Sequence, residues 1–168
     1  MTALPFLNFK DHQTEYQIDW YAFLGRPKLP AASTESLQLL RNSSILVTGA
    51  GGSIGTALSL RLAGLRPRNL VLIDASEQAL YRLHSSFQSI APAPAISTIL
   101  ANVADSTHMD EIFAAHNPDF VFHAAAYKHL PLGEENPLAA IANNALATHT
   151  LVECAPERYL AHRSAIDR

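Results

Sequence analysis

The chain has 168 residues, a formal net charge of −3 and 48% hydrophobic residues, which fits one globular domain and excludes a disordered chain. The small negative charge removes the electrostatic reason to expect a nucleic-acid or anionic-membrane partner. No apolar run reaches the ~20 residues of a membrane span. The N-terminus lacks a signal-peptide pattern, and the single cysteine, Cys154, suits a reducing compartment. We therefore expect a cytoplasmic protein.

Residues 1–43 form a zone that is rich in aromatic side chains. These are Phe6, Phe9, Tyr16, Trp20, Tyr21 and Phe23. Because exposed aromatic rings are unfavourable in water, we expect this segment to dock on the following domain or on a partner. Gly25, Pro27 and Pro30 predict a bend and a linker, and Ser36–Arg41 a short helix. We divide the chain into this N-terminal extension and a domain over residues 44–168.

From Ser44 onward, predicted strands and helices alternate. Short apolar runs predict buried strands at Ser44–Thr48, Asn69–Asp74, Ile96–Leu100 and Phe120–Ala124. Helices are predicted at Ser53–Leu65, Glu77–Ile90, Thr107–His116 and from Pro137 to about Cys154. This alternation predicts a Rossmann-like α/β fold: a parallel sheet with strand order 3-2-1-4 and helices on both faces. Arg158–Leu160 is a candidate for a fifth strand, which the sequence leaves open.

Two of these helices show which side chains face the sheet. The helix that follows the first strand has apolar residues at three- and four-residue spacing, which are Ile54, Leu58, Leu62 and Leu65. The next helix is expected to begin behind Ser76 as a capping residue. Its predicted inner face comprises Leu80, Leu83 and Phe87.

The strongest chemical signal is the run Thr48–Gly55 (TGAGGSIG), which follows a predicted strand and opens a predicted helix. Gly49 permits a tight turn, whereas Gly51 and Gly52 let the backbone approach a pyrophosphate. Gly55 lets the helix pack closely, and the helix start offers N–H groups to the phosphates. The residues assigned to this role are Gly49, Gly51, Gly52, Ser53, Ile54 and Gly55. The alternative is a glycine-rich turn without a ligand; a P-loop is disfavoured because its lysine is missing.

Asp74 ends the second predicted strand, where a carboxylate accepts hydrogen bonds from an adenosine ribose. It would repel a 2′-phosphate, so the sequence favours NAD over NADP. Asn102 and Val103 follow the third strand, where the Asn side chain is placed to contact adenine. Ala124–Ala126 follow the fourth strand and let the backbone pass close to a cofactor. The alternatives are a turn cap at Asp74, an Asn102 that bonds its own backbone, and tight helix packing at the alanines.

Three segments, TGAGGSIG, VLIDASEQALY and VFHAAAYKHLPLGEENPLAAIANN, together resemble the extended short-chain dehydrogenase/reductases of bacterial polysaccharide biosynthesis. Within that group they are similar to the CapD-type nucleotide-sugar 4,6-dehydratases. The resemblance runs from about Phe23 to about Ala155, and its most specific part is Ala124–Pro137. It implies a substrate like UDP-N-acetylglucosamine. In such enzymes NAD oxidises the sugar at C4, water leaves across C5 and C6, and the hydride returns to C6.

The resemblance also assigns residues. It implies that the dinucleotide is bound by Gly49, Gly52, Gly55 and Asp74, and that Ala124–Ala126 line the nicotinamide side. It also implies that Lys128 and His129 contact the substrate. Asn144 is implied to support the active-site architecture. Alternatives stay open: Lys128 as a solvated loop lysine, and His123 as a satisfied core histidine. The eight histidines show no metal-ligand spacing, and no metal site is expected.

The sequence departs from the family pattern in its catalytic segments. Members carry a Ser/Thr-Thr-Asp-Lys segment and a Tyr-x-x-x-Lys pair, whereas the only lysines here are Lys10, Lys28 and Lys128. The nearest imitation is Tyr159 followed by Arg163, and arginine is a poor replacement for that lysine. No catalytic residue is therefore assigned.

This departure leaves three hypotheses. One is a truncated dehydratase that binds NAD without turnover, the second is one half of a two-chain enzyme, and the third is a non-catalytic NAD-binding interaction module. Without a fifth strand, the fourth strand would be an apolar sheet edge, and we would then expect poor monomeric solubility or association into a homo-oligomer.

Overall fold

The structure is a computed structural model that describes residues 19–25, 27, 32–87 and 95–155. The chain divides into two compact units, residues 1–33 and 34–168. In the first unit, helix α1 (Trp20–Leu24) starts behind Asp19, whose Oδ1 accepts the Ala22 N–H at 3.1 Å. Phe23 on α1 is exposed. Phe6, Phe9 and Tyr16 lie outside the described residues, and the domain boundary after residue 43 stays a prediction.

The second unit begins with helix α2 (Thr34–Arg41). Its strands are β1 (Ser44–Thr48), β2 (Asn69–Asp74), β3 (Ile96–Leu100) and β4 (Phe120–His123). The helices between them are α3 (Ser53–Leu65), α4 (Glu77–Phe87) and α5 (Ser106–His116). After β4 come α6 (Leu130–Glu135), α7 (Pro137–Ile141), a π-helical turn (Ala142–Leu146) and α8 (Ala147–Cys154).

The four strands form one parallel sheet in the order β3-β2-β1-β4, which confirms the predicted topology. The register places Leu46 opposite both Val71 and Val121. β1 lies between two neighbours and is buried along its whole length, as expected for a parallel strand that is covered on both faces. The predicted fifth strand, Arg158–Leu160, falls outside the described residues.

Two apolar clusters cover the two faces of the sheet, because successive strand residues point to opposite sides. On one face, Leu46 and Val71 pack with Met109 of α5 and Leu151 of α8. The cluster on the other face joins strand residues to α3 and α4 and comprises Ile45, Val47, Leu70, Leu72, Leu62, Ala63, Leu83 and Phe87. Helices therefore lie on both faces, as predicted.

The inner face of α3 differs from the prediction at Ile54. Ile54 is 70% exposed, whereas Gly55, Ser59, Leu62 and Ala63 are buried. The helix approaches the sheet through small residues, and close approach turns Ile54 outward. Leu58 and Leu65 are partly buried against the apolar cluster, as expected.

Helix α4 confirms its predicted face and cap. Leu80, Leu83 and Phe87 are buried, and the Ser76 Oγ accepts the Ala79 N–H at 3.3 Å. At the opposite end of the sheet, Asp119 accepts the Ser44 N–H at 2.8 Å and the Arg68 guanidinium at 2.6 Å.

Helix α8 packs against α5, and its last residue, Cys154, lies beside the start of α5. Burial, together with the hydrogen bond and negative charge of Asp110, raises the pKa of the Cys154 thiol to about 11. Across the parts of the chain that the structure describes, no helix combines the length and apolar character needed to cross a bilayer.

Candidate functional site

The glycine turn after β1 sits directly against the end of β4. Gly49 has φ +64°, and a Cβ there would lie 2.6 Å from the Ala125 nitrogen. A Cβ on Gly55 would overlap the Gly49 carbonyl oxygen, whereas a Cβ on Gly52 meets only that same oxygen at 3.3 Å. Gly49 and Gly55 are therefore required by contacts within the fold, and Gly52 has open space beside it.

Packing within the fold gives a further reason for glycine at position 51, and its predicted role beside a pyrophosphate stays a prediction. A Cβ at this position would lie 2.6 Å from the Ala79 Cβ of α4, so the turn and α4 need glycine in order to pack. The backbone N–H of Gly51 donates to Asp74 Oδ2 at 2.8 Å. Within the fold, Gly51 thus connects the turn to the end of β2.

Asp74 holds two loops together at the end of β2. Its Oδ2 accepts the Gly51 N–H, and its Oδ1 accepts the Ser76 N–H at 2.9 Å. The bond to Ser76 is the turn cap that the sequence left open as an alternative. A carboxylate has about four acceptor positions, so the two backbone bonds leave Asp74 capacity for a ligand hydroxyl.

The start of α3 offers uncapped backbone donors. Its N-cap residue is Gly52, in an extended conformation and without a side-chain cap. The first N–H groups of a helix lack intrahelical partners and carry the positive end of its dipole. Ser53 and Ile54 therefore place backbone donors beside the glycine turn.

The carboxyl ends of the strands enclose a first cavity of about 410 Å³. It is lined by Gly49, Gly52, Asp74, Ala75, Ser76, Ala101, Asn102, Val103, Ala124, Ala125, Ala126, Tyr127, Asn143 and Ala147. Most of the predicted cofactor-binding residues are thus brought together. Gly51, Ser53, Ile54 and Gly55 are not among the lining residues.

Asn102 follows β3 and forms a local turn at the cavity. Its side-chain Oδ1 accepts the Ala104 N–H at 2.9 Å, which is the backbone bond that the sequence left open as an alternative. Val103 beside it is 6% exposed and belongs to the apolar cluster of α5 and α8.

The loop after β4 is fixed by an amide side chain from the π-helical turn. Asn144 Oδ1 accepts the Tyr127 N–H at 2.8 Å, and Asn144 Nδ2 donates to the Tyr127 carbonyl at 2.9 Å. This paired contact holds the Tyr127 main chain against the helix, and it gives Asn144 the architectural role that the family resemblance implies.

A second cavity of about 400 Å³ lies on the other side of this loop. It is lined by Ala126, Tyr127, Lys128, His129, Leu132, Gly133, Asn136, Ala139 and Ala140. Lys128 and His129 therefore line this second cavity and not the first. Ala126 and Tyr127 line both cavities and form the wall between them.

His123 has a hydrogen-bond partner on each ring nitrogen. Nδ1 lies 2.6 Å from Thr48 Oγ1, and Nε2 lies 3.0 Å from Thr148 Oγ1. Burial of the ring lowers the pKa of His123 below its ordinary value. The geometry supports a histidine with both ring nitrogens satisfied, but His123 is exposed and does not lie in the core.

Three polar residues that line the first cavity were not predicted from the sequence: Ser76, Tyr127 and Asn143. Ser76 was assigned only as a helix cap. A signal for Asn143 was present in the adjacent pair of amides, Asn143 and Asn144, within the otherwise apolar run Pro137–Leu146. Nothing in the local sequence marks Tyr127, since its place depends on the contact with Asn144.

The parallel sheet and the glycine turn define a Rossmann-like dinucleotide-fold domain. Its sequence matches the family described as "Polysaccharide biosynthesis protein" over residues 45–164, and the chain belongs to this family. It is 37% identical to the capsular polysaccharide biosynthesis protein CapD of Staphylococcus aureus, over 70% of this chain and 20% of that protein. A UDP-N-acetylglucosamine 4,6-dehydratase (inverting) of Campylobacter jejuni is 28% identical over 68% of this chain and 33% of its own length.

Among solved structures, the chain is similar to the UDP-glucose 4-epimerase of Stenotrophomonas maltophila, crystallised with NAD and formylated UDP-arabinopyranose. The TM-score is 0.57 at 23% identity, over 67% of this chain and 33% of that one. This likeness confirms the Rossmann-like fold. The chain spans between a fifth and a third of the length of the relatives named here.

Proposed function

We propose that the described domain binds NAD as the cofactor-binding part of a nucleotide-sugar 4,6-dehydratase or epimerase of polysaccharide biosynthesis. The observation that carries this proposal is the first cavity. There the glycine turn with the α3 N-cap Gly52, the Asp74 carboxylate and the alanines after β4 meet at the carboxyl ends of the strands. Membership of the polysaccharide biosynthesis family supports the same proposal.

The residues fit a dinucleotide from one end to the other. Gly52 leaves open the space that a side chain would fill, and the N–H groups of Ser53 and Ile54 suit a pyrophosphate. Asp74 would accept ribose hydroxyls, while Asn102 and Val103 would contact adenine. The alanines 124–126 would border the nicotinamide. NAD bound there supplies a hydride acceptor for a sugar hydroxyl carbon.

NAD is proposed in preference to NADP because of the charge at Asp74. Both carboxylate oxygens are held in place by backbone N–H groups, so the side chain is fixed where a 2′-phosphate would have to sit. A 2′-phosphate beside the Asp74 carboxylate would bring two negative charges close together, which is unfavourable.

The second cavity is proposed to take the sugar nucleotide, with UDP-N-acetylglucosamine as the representative ligand. Lys128 and His129 line it, and Ala126 and Tyr127 separate it from the first cavity. A substrate there would lie next to the nicotinamide end of the cofactor. The Lys128 ammonium would provide hydrogen bonds to phosphate or hydroxyl oxygens.

We further propose that this chain does not turn over substrate by itself. Hydride transfer from an alcohol requires a general base near the reacting hydroxyl. The sequence contains no Tyr-x-x-x-Lys pair, and Lys128 is the one lysine among the residues that the structure describes. The His123 nitrogens are both engaged within the fold.

Calorimetry on the purified chain tests cofactor binding. We expect a saturable signal with NAD and a weaker one with NADP. Gly52→Val should abolish NAD binding because its side chain enters the cradle, whereas Gly64→Ala, with nothing within 4 Å of the added Cβ, should bind as wild type. No NAD binding by a folded wild-type chain would overturn the proposal. Turnover of UDP-N-acetylglucosamine by the chain alone would overturn the proposed inactivity.

Association through β4 is proposed as well. Within the described residues β4 pairs with β1 along one edge, and its side chains are only half-buried. An apolar sheet edge of this kind promotes pairing with another chain. Sedimentation velocity over a concentration series should reveal self-association, and a clean monomer at high concentration would contradict it.

A further inference from the structure

A continuous chain of hydrogen bonds runs from β1 through β4 to the π-helical turn. Thr48 Oγ1 lies 2.6 Å from His123 Nδ1, and His123 Nε2 lies 3.0 Å from Thr148 Oγ1. The Thr148 hydroxyl in turn donates to the Asn144 carbonyl at 2.6 Å. The bonds of His123 join residues 75 and 25 positions apart in sequence, and they tie together the elements on both sides of the loop that follows β4.

The donors and acceptors in this network determine where the imidazole and hydroxyl protons lie. A carbonyl oxygen only accepts, so the single Thr148 hydroxyl proton points to Asn144. Thr148 Oγ1 must then accept from His123, which places the imidazole proton on Nε2. Nδ1 is left as an acceptor, and the buried Thr48 hydroxyl donates to it. The network thus selects the neutral Nε2–H tautomer.

The far end of the network reaches the wall between the two cavities. Thr148 bonds the Asn144 carbonyl, and the Asn144 side chain holds both main-chain groups of Tyr127. π-helical turns leave backbone groups to be satisfied from outside the regular helical ladder. Here His123 and Thr148 supply that support. His123 also precedes Ala124 directly, so it anchors the start of the same loop.

We propose that His123 is a positioning residue: held as its Nε2–H tautomer by Thr48 and Thr148, it fixes the π-helical turn that carries Asn144, and thereby the Tyr127 main chain between the two cavities. His123 is not among the residues that line either cavity. The proposal rests on the proposed function only for its effect on cofactor binding.

The test uses a matched set of variants in the full chain, without ligand. Thr148→Val removes the hydroxyl at almost constant shape, Thr148→Ser restores it, and Thr150→Val makes the same change elsewhere on α8. Long-range ¹H–¹⁵N spectra report the His123 tautomer, and hydrogen exchange reports the Tyr127 amide. We expect a pure Nε2–H tautomer in the wild type. Thr148→Val should mix the tautomers and, by removing one hydrogen bond of the network, speed Tyr127 exchange about fivefold.

Thr148→Ser and Thr150→Val should both behave as the wild type does. A wild-type Nδ1–H tautomer would overturn the proposal, as would unchanged Tyr127 exchange in Thr148→Val. Calorimetry with NAD then separates this proposal from the proposed function. If the wild type binds NAD, Thr148→Val should raise the dissociation constant about fivefold or more. If the wild type does not bind, the cofactor proposal fails while the exchange data still decide the role of His123.

Discussion

Two segments that border the first cavity are built in different ways. The glycine wall, residues 49–55 with Asp74, consists of one contiguous motif and one acid that holds it. The amide wall, residues 124–129 with Asn144, is assembled by side chains that bond to main-chain groups of distant elements. The first wall depends on the absence of side chains and the second on particular polar ones. Substitutions should therefore damage the glycine wall by overlap and the amide wall by loss of partners.

The largest effect is expected at Gly49. In Gly49→Ala the new Cβ would overlap the Ala125 backbone, and the residue would sit at positive φ. The free energy of unfolding should fall by about 3 kcal/mol or more. Urea unfolding measures this change. Gly64→Ala is the control and should gain up to about 1 kcal/mol as a helical alanine; equal losses in both variants would contradict the overlap argument.

A smaller loss is expected at Asp74, which links the glycine wall to β2. Asp74→Asn replaces one acceptor oxygen by an NH₂ group, which would face either the Gly51 N–H or the Ser76 N–H. Losing a charge-assisted bond should lower the free energy of unfolding by about 2 kcal/mol. Glu111→Gln at an exposed position of α5 serves as a control for the change of charge. Identical unfolding curves for wild type and Asp74→Asn would show that the carboxylate does not hold the turn.

The amide wall should respond to pH through His123. Burial lowers its pKa in the folded chain below the ordinary value of 6.5, so the unfolded chain binds this proton more readily. The stability that comes from neutral His123 is fully present above about pH 6.5 and is lost as the pH falls through the lower folded-state pKa.

The wild type should therefore lose more stability on acidification than His123→Gln, with a difference in slope of at most about 1.4 kcal/mol per pH unit. Thermal unfolding of both proteins between about pH 5 and pH 7.5 measures it. Parallel pH profiles would rule out this contribution.

The smallest effect is expected at Ser59, on the face of α3 that packs under the glycine wall. Its buried hydroxyl has no hydrogen-bond partner among the described residues. Ser59→Ala removes an unsatisfied polar group and improves helix propensity, which should stabilise the chain by about 1 kcal/mol. Thr56→Ala is the contrast, since the Thr56 hydroxyl donates to the Ala50 carbonyl at 3.2 Å. Destabilisation by Ser59→Ala would indicate that its hydroxyl has a partner.

The strands and the glycine wall could be predicted from the sequence, whereas much of the amide wall could not. Short apolar runs such as Ser44–Thr48 are buried on both faces, so the strands and their order could be predicted from local composition and chain handedness. The glycine wall could be predicted because its residues are contiguous. Helix α6 was missed because LPLGEE contains proline and glycine and has no helical period. The π-helical turn was missed because its geometry depends on Tyr127 and Thr148.

Ile54 shows the limit of hydrophobic periodicity. The periodic pattern on α3 depends only on which residues are apolar. The packing also depends on how closely the helix can approach the sheet. Gly55 and Ser59 allow the close approach, so the small face is buried and Ile54 is exposed. Periodicity identified the helix correctly but misplaced part of its inner face.

The Cys154 thiol at the end of α8 can serve as a chemical probe of local structure. With the pKa of Cys154 raised to about 11 by burial and by Asp110, the side chain stays a protonated, weakly nucleophilic thiol at neutral pH. Alkylating dyes should label it slowly while α8 stays packed on α5. Labelling should be faster when the two helices separate. The labelling rate would therefore measure how often α8, the helix that supports the amide wall, opens away from α5.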